Sequence, residues 1–134
     1  MKEAIWQQVK KGENSPFYRL LDMKIEEVLE NYARLSIEVD MKHIQFLGTV
    51  HGGVVATLAD SAAAWAIYGS GDLDCLPVTV EMKINFLKPV KSGKIVAEAR
   101  NVHCGSRIFV SDVDVKDNNG TLIAKSLVTY YLLK

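Results

Sequence analysis

The sequence contains little cysteine, little proline and no excess of charge of one sign. Its 134 residues include two cysteines and three prolines, and 16 Lys and Arg residues balance 16 Asp and Glu residues. Cys75 and Cys104 are too few for a disulfide framework or a CxxC metal site, so we expect both to be reduced, small and buried. A net charge of zero argues against a general nucleic-acid-binding protein, which needs a basic excess.

The sequence also lacks a long apolar segment. The most apolar run, residues 54–68, spans 15 residues and contains Asp60, whereas a bilayer span needs about 20 apolar residues. The first residues have no apolar core of the kind found in signal peptides. We therefore expect a cytoplasmic protein that does not contact a membrane, and we predict that residues 54–68 form a helix buried within protein.

The chain length fits a single domain over residues 1–134, in which residues 1–20 form an N-terminal helical segment. The predicted elements are short helices at 3–11 and 16–20, two strands within 23–39, a long helix at 53–68 and four strands at 77–86, 94–104, 107–116 and 121–133. Short connections between the late strands require an antiparallel sheet. The fold class is therefore α+β.

The long helix is apolar on nearly all sides, so it must be enclosed. We expect a curved sheet to wrap around it and a second subunit to cover the remainder. Asp60 is the exception on this helix, and Thr57 and Ser61 extend it into a narrow polar strip. A buried carboxylate must be paired, hydrogen-bonded or open to a cleft. Asp60 is therefore either a structural carboxylate or a general base or nucleophile beside an apolar substrate.

His51, Gly52 and Gly53 precede the long helix. Two glycines allow a sharp turn and close approach of the backbone to a ligand, and the free N–H groups of the helix start can hold an oxyanion. The alternative is a turn that only leads the chain into the helix. His43 and His103 have no metal-ligand spacing with His51, so we predict no metal site.

Basic residues are concentrated between Met82 and Arg107, where six of them accompany one acidic residue, Glu98. A solvated strand surface explains such a segment. The alternative is a polyphosphate site at the 88–91 turn and at residues 105–107. Because the sequence has no P-loop and no GxGxxG motif, side chains at strand ends would hold the phosphates.

Several of these segments together resemble the PaaI-type hotdog thioesterases. The similar segments are Gly-Thr-Val-His-Gly-Gly at 48–53, Asp60 within Leu-Ala-Asp-Ser-Ala, the lead-in at 14–21 and the strand at 78–89. The resemblance spans about residues 14–133. It implies a hotdog fold, an antiparallel sheet wrapped around a central long helix, and hydrolysis of an aryl- or fatty-acyl-CoA to a free acid and CoA. It also implies a homodimer, usually paired into a homotetramer, with no cofactor apart from the CoA of the substrate.

The resemblance also assigns residues to roles. Asp60 would activate water or attack the carbonyl, the Gly52 amide would polarise that carbonyl, Thr79 would position water, and Gln45 stands where the family usually has Asn. With His51, these form the implied catalytic set. The implied CoA-binding residues are Gly53, Phe86, Lys88, Pro89, Lys91, Ser106 and Arg107, with the phosphates at Lys88, Lys91 and Arg107. The apolar helix surface and Trp65 would line the acyl pocket.

Two other functions are compatible with the same fold. A non-hydrolytic acyl-CoA sensor is disfavoured because Asp60 and the His-Gly-Gly motif are intact, and because no helix-turn-helix segment is present. A hotdog dehydratase acting on a 3-hydroxyacyl thioester is disfavoured because His43 lacks the proline-rich context of the catalytic His in those enzymes.

Overall fold

A computed structural model of the chain describes residues 3–71 and 73–133. The predicted single domain over residues 1–134 also includes Met1, Lys2, Asp72 and Lys134, which lie outside the described residues. The elements are α1 (Glu3–Glu13), α2 (Pro16–Leu21), β1 (Met23–Leu29), β2 (Tyr32–Glu38), a 3-10 turn (Met41–His43), α3 (Gly52–Gly69), β3 (Leu76–Phe86), β4 (Lys94–Cys104), β5 (Ile108–Lys116) and β6 (Leu122–Leu133). These bounds agree with the predicted elements to within a few residues.

The strands form a six-stranded sheet in the order β1-β2-β4-β5-β6-β3. Every neighbouring pair is antiparallel, as the short connections predicted. β3 follows the long helix in the chain but pairs with β6, the last strand, and so forms one edge of the sheet. The predicted α+β hotdog plan is confirmed.

The helix α3 packs against all six strands of the sheet and supplies the centre of the core. Nine of its residues are buried, namely Val54, Val55, Leu58, Ala59, Ala62, Ala63, Trp65, Ala66 and Ile67. On β2 the alternation predicted from the sequence places Ala33, Leu35 and Ile37 in the same core, each with no exposed surface. This explains why an almost wholly apolar helix is stable here, since burial of apolar surface contributes roughly 25 cal/mol per Å².

Close packing also involves Gly12, near the end of α1. The sequence predicted that Gly12 ends this helix, but α1 continues to Glu13. The glycine is instead a contact residue, because an added Cβ would lie 2.5 Å from the ring of Trp65. At the next helix Ser15 occupies the N-cap position without a side-chain cap, and its hydroxyl donates to the carbonyl of Gly12 over 2.6 Å.

The edge strand β3 carries exposed apolar side chains. Leu76, Val80 and Phe86 are 57%, 61% and 55% exposed. An apolar edge strand with free backbone groups is a ready surface for pairing with another chain. The described part of the chain therefore leaves the β3 edge available for a partner.

The two cysteines differ in their environments. Cys75 is buried, as expected, but Cys104 is exposed, so the expectation for Cys104 is wrong. The reason is its position at the end of β4, where Val102, His103 and Cys104 are all exposed. These residues lie beyond Asn101, whose side-chain amide donates to the Ala66 carbonyl of α3 over 3.0 Å.

Within the described ranges, no helix is long and apolar enough to cross a membrane.

Candidate active site

Asp60 lies on the partly exposed face of α3, next to two hydroxyl groups from neighbouring strands. Thr79 on β3 donates its hydroxyl to Oδ1 of Asp60 over 2.9 Å. The hydroxyl of Tyr130 on β6 lies 2.8 Å from the same Oδ1 and 2.8 Å from the main-chain oxygen of Asp60. Both hydroxyls therefore bind one carboxylate oxygen, and neither occupies Oδ2.

The surroundings of Asp60 keep two phenols protonated. Burial raises the pKa of Tyr130, and the nearby Asp60 carboxylate adds to that effect. Burial likewise raises the pKa of Tyr18, despite the opposing effect of its hydrogen bond with Ser61. Tyr18 also accepts a hydrogen bond from the indole N–H of Trp65 over 3.0 Å. A protonated phenol remains a hydrogen-bond donor at neutral pH, so Tyr130 presents a neutral donor to the Asp60 carboxylate.

The start of α3 presents backbone N–H groups next to the β3 end. His51 is the N-cap residue, and its Nδ1 accepts a hydrogen bond from the Gly53 N–H over 2.8 Å. Gly52 is the first helical residue, and an added Cβ there would lie 3.4 Å from the ring of Phe86. The N–H groups of a helix start carry partial positive charge, so this end of α3 is suited to an oxyanion.

A cavity of about 290 Å³ opens beside this helix start. Its lining residues are Thr49, Val50, Gly52, Val55, Phe86, Leu87, Lys88, Pro89, Val90 and Ile123. The structure therefore brings together four residues of the predicted catalytic and CoA-binding sets, namely Gly52, Phe86, Lys88 and Pro89. Lys88 places a positive charge at a cavity with mostly apolar walls.

Gly53 adjoins the cavity at the same helix start, whereas the predicted CoA-binding residues Lys91, Ser106 and Arg107 do not line it. Arg107 donates to the Leu132 carbonyl over 3.4 Å, and its guanidinium lies 5.9 Å from the ring centre of Tyr131. Phe86 on β3 pairs with Ala124 on β6, whereas Ile108 on β5 pairs with Tyr131 on β6. Seven residues of strand separate these positions, which is roughly 23 Å. Ser106 and Arg107 thus lie at one end of the sheet and Lys88 at the other, while Lys91 is exposed in the loop before β4.

Gly52 and Asp60 are also well separated. They lie eight residues apart on α3, which corresponds to roughly 12 Å of helix rise. One carbonyl group therefore has no position that contacts both the Gly52 N–H and the Asp60 carboxylate of the same protomer.

The amide of Gln45 is engaged within its own loop. Nε2 donates to the Thr49 hydroxyl over 2.8 Å, and Oε1 accepts from the Leu47 N–H over 2.5 Å. Thr49 lines the cavity, so Gln45 holds one wall of it in place. Trp65, predicted to line the acyl pocket, is only 5% exposed and lies in the core beneath α1.

Sequence reasoning did not identify Tyr130. It occupies an inward position of β6 between the buried residues Val128 and Leu132, so the alternating pattern marks it only as a core residue. Its hydroxyl meets Asp60 because β6 pairs with β3, with Tyr130 opposite Thr79. The resemblance, in contrast, pointed to Thr79 as a residue that positions water, and the structure shows its hydroxyl bound to Oδ1 of Asp60. In the described part of the chain, no three His, Cys, Asp or Glu residues are grouped as a metal site.

Comparisons with known proteins identify the family to which the chain belongs. Residues 47–124 match the family model of the Thioesterase superfamily. Mouse acyl-coenzyme A thioesterase 13 is 34% identical over 98 residues, which is 72% of this chain and 69% of the mouse protein.

Two solved structures are similar over most of their length. A single-residue variant of the phenylacetic acid degradation protein PaaI of Thermus thermophilus is 29% identical, with a TM-score of 0.80 over 89% of this chain and 100% of that one. A hypothetical thioesterase of Streptococcus pneumoniae, solved with coenzyme A, is 25% identical, with a TM-score of 0.77 over 83% of this chain and 85% of that one. The chain therefore belongs to the thioesterase superfamily of enzymes, with the hotdog fold of its PaaI-type members.

Proposed function

We propose that this protein hydrolyses the thioester bond of aryl- or fatty-acyl-CoA substrates, with Asp60 as the reacting carboxylate. The observation that carries this proposal is the arrangement at Asp60. The carboxylate lies on an otherwise apolar helix, two hydroxyls bind its Oδ1, and neither occupies Oδ2. An oxygen that those hydroxyls leave available suits a base or nucleophile. The match to the Thioesterase superfamily supports the same reaction.

The chemistry requires only groups that the chain supplies. As a base, Asp60 takes a proton from water while the water oxygen bonds to the carbonyl carbon. The C–S bond then breaks, and the proton passes to the thiolate, giving a free acid and CoA. As a nucleophile, Asp60 attacks the carbonyl carbon and the C–S bond breaks, which releases the CoA thiolate. Water then cleaves the resulting anhydride to the free acid and the Asp60 carboxylate, and the released proton passes to the thiolate. In both routes backbone N–H groups stabilise the developing oxyanion, so the reaction proceeds without a metal or redox cofactor.

We place each active site between two copies of the chain. The roughly 12 Å between Gly52 and Asp60 prevents one protomer from completing the site. Antiparallel pairing of two β3 edges about a two-fold axis sets the Leu76 end of one copy beside the Phe86 end of the other. That arrangement brings Asp60 and Thr79 of one copy towards Gly52 and Phe86 of the second.

The same arrangement accounts for the position of the basic residues at two opposite ends of the sheet. Arg107 and Ser106 lie near the Leu76 end of the sheet, whereas Lys88 lies near the Phe86 end. In the paired dimer, Arg107 of one copy approaches Lys88 and Lys91 of the other. Opposite-charge contacts from both copies would then hold the CoA phosphates. Further assembly of dimers into a tetramer is compatible with this plan.

The decisive experiment measures thiol release from a panel of aryl- and fatty-acyl-CoA esters by the wild type and by Asp60→Asn. We expect release by the wild type, and near-complete loss of turnover in a folded Asp60→Asn protein. The best substrate of the panel identifies the acyl class. Tight binding of intact acyl-CoA with no release would instead indicate a binding protein, and normal turnover by Asp60→Asn would exclude the proposed role of this carboxylate.

A further inference from the structure

We propose that Tyr130 is a positioning residue for Asp60, and that its hydroxyl fixes the carboxylate so that Oδ2 is the reactive oxygen. This inference rests on the proposed role of Asp60 in thioester hydrolysis. It assigns a function to a side chain that does not itself touch the substrate.

The geometry around the Tyr130 hydroxyl carries the inference. The hydroxyl bridges two oxygens of one residue, the main-chain oxygen and Oδ1 of Asp60, each at 2.8 Å. A donor shared between these two atoms restricts rotation about both side-chain bonds of the aspartate. Because Oδ1 is tied to the main chain of α3 in this way, the direction of Oδ2 is set by the helix.

Tyr130 is anchored more firmly than the other donor. It is 4% exposed, on a strand flanked by β5 and β3. Thr79, which also binds Oδ1, is an exposed residue on the edge strand. Tyr130 also contacts two oxygens of Asp60, whereas Thr79 contacts Oδ1 alone. The raised pKa of Tyr130 keeps its proton available for this bond.

Orientation of this kind acts on the chemical step. A reacting group displaced by about 1 Å loses about 100-fold in rate. In the proposed reaction, substrate binding depends instead on the cavity beside Gly52 and on the basic residues, none of which involve the Tyr130 hydroxyl. Loss of the hydroxyl should therefore lower kcat and leave KM almost unchanged.

The test compares Tyr130→Phe with Tyr32→Phe. Tyr32 provides a matched control, because its hydroxyl also donates to a carboxylate, that of Glu98, over 2.7 Å on the outer side of the sheet. We expect a fall in kcat of about 10- to 100-fold for Tyr130→Phe, with KM within about twofold of the wild type. Tyr32→Phe should retain the wild-type kcat. Tyr130→3-fluorotyrosine, which keeps both the ring and the hydroxyl, should recover most of the activity.

A double variant separates positioning from a general effect on the fold. If Tyr130 acts through Asp60, then Tyr130→Phe should lower the residual rate of Asp60→Asn no further. A wild-type kcat in Tyr130→Phe would overturn the inference, as would equal losses in Tyr130→Phe and Tyr130→3-fluorotyrosine, or a full additional loss in the double variant. Each of these results leaves the role of Asp60 standing, which fails only if Asp60→Asn itself retains turnover.

Discussion

Thr79 and Asp60 are joined by a hydrogen bond of 2.9 Å between the Thr79 hydroxyl and Oδ1, across 19 residues of sequence. This bond connects the edge strand β3 to the central helix α3. It therefore couples the proposed catalytic carboxylate to the strand that we expect to pair with a second copy.

The Thr79 hydroxyl is predicted to contribute to turnover. Thr79→Val replaces the hydroxyl with a methyl group of similar size, and a hydrogen bond to a charged group contributes about 1.5–3 kcal/mol. We expect kcat to fall by about tenfold or more in steady-state assays of thiol release. Thr79→Ser keeps the hydroxyl and should retain much more activity. Equal kcat values for Thr79→Val and Thr79→Ser would contradict a specific role for the hydroxyl at this position.

The N–H of Gly52 is predicted to stabilise the oxyanion. Gly52→Pro removes this N–H at the first helical position, where proline is well tolerated. We expect a loss of kcat of about 100- to 1000-fold, which is typical for one oxyanion donor. Gly52→Ala keeps the N–H, and its methyl group meets the Phe86 ring at an ordinary 3.4 Å, so its loss should be much smaller. Comparable losses in the two variants would argue against a role for the N–H.

Mixing inactive variants tests whether the site lies between two copies. A dimer of one Asp60→Asn copy and one Gly52→Pro copy has one site with both groups intact. Random reassociation of equal amounts should then restore about a quarter of the wild-type activity. If each protomer carried a complete site, the mixture would remain as inactive as its parents. Size-exclusion chromatography of the refolded mixture verifies that dimers have formed.

The sequence predicted the local elements well because local patterns determine them. Alternation along β2 and the turn signals between the late strands are properties of a few adjacent residues. The contact of Tyr130 with Asp60 is different, since it depends on the pairing of β6 with β3. No local pattern near Tyr130 encodes that pairing. The exposure of Cys104 was not predicted for a similar reason. It depends on how far β4 continues past the end of its contact with α3, which is a feature of the packing and not of the local sequence.

The site was predicted only in part for the same physical reason. The resemblance assigned Asp60, Gly52 and Thr79 to one catalytic set. In the structure the Thr79 hydroxyl donates a hydrogen bond to the Asp60 carboxylate. The distance between Gly52 and Asp60 follows from the rise of the helix between them. Naming the two residues as members of one site does not show that they are too far apart to act on one substrate within a protomer. The register of β6 likewise separates Arg107 from Lys88, although both belong to one basic stretch of sequence.

Lys88 is predicted to bind the phosphates of CoA rather than the acyl group. It lines the cavity beside Gly52 and is exposed, so one ion pair there contributes up to about 1 kcal/mol. Lys88→Ala should therefore raise KM for an acyl-CoA by about two- to fivefold, with little change in kcat. With the matching acyl-pantetheine, which has no phosphates, KM should not change. Lys24→Ala, on the opposite edge strand β1, provides a charge-matched control.

A rise in KM for acyl-pantetheine equal to that for acyl-CoA would contradict the assignment of Lys88 to the phosphates. The salt dependence provides a second measurement, because ionic screening weakens exposed charge pairs. The difference in KM between the wild type and Lys88→Ala should shrink as salt is added.

Gly69 at the end of α3 is predicted to stabilise the fold. An added Cβ would lie 2.0 Å from the Leu29 carbonyl oxygen and 3.1 Å from Cγ1 of Val28. Replacing glycine by alanine in a helix usually stabilises a protein by about 0.5–1 kcal/mol. Here the helix end must move away from β1, and overpacking of this kind costs about 1–3 kcal/mol. Gly69→Ala should therefore unfold at lower urea concentration than the wild type.

Gly52→Ala provides the comparison for Gly69→Ala, because it makes the same change in the same helix with only a van der Waals contact to Phe86. It should be as stable as the wild type or slightly more stable in the same urea titration. All proteins must be compared at one concentration, since association shifts apparent stability. If Gly69→Ala were at least as stable as the wild type, the close approach of α3 to the β1–β2 turn would not constrain this position. The sign of the change in unfolding free energy for Gly69→Ala thus shows which effect dominates. Helix propensity favours alanine, whereas the close contact with Leu29 disfavours it.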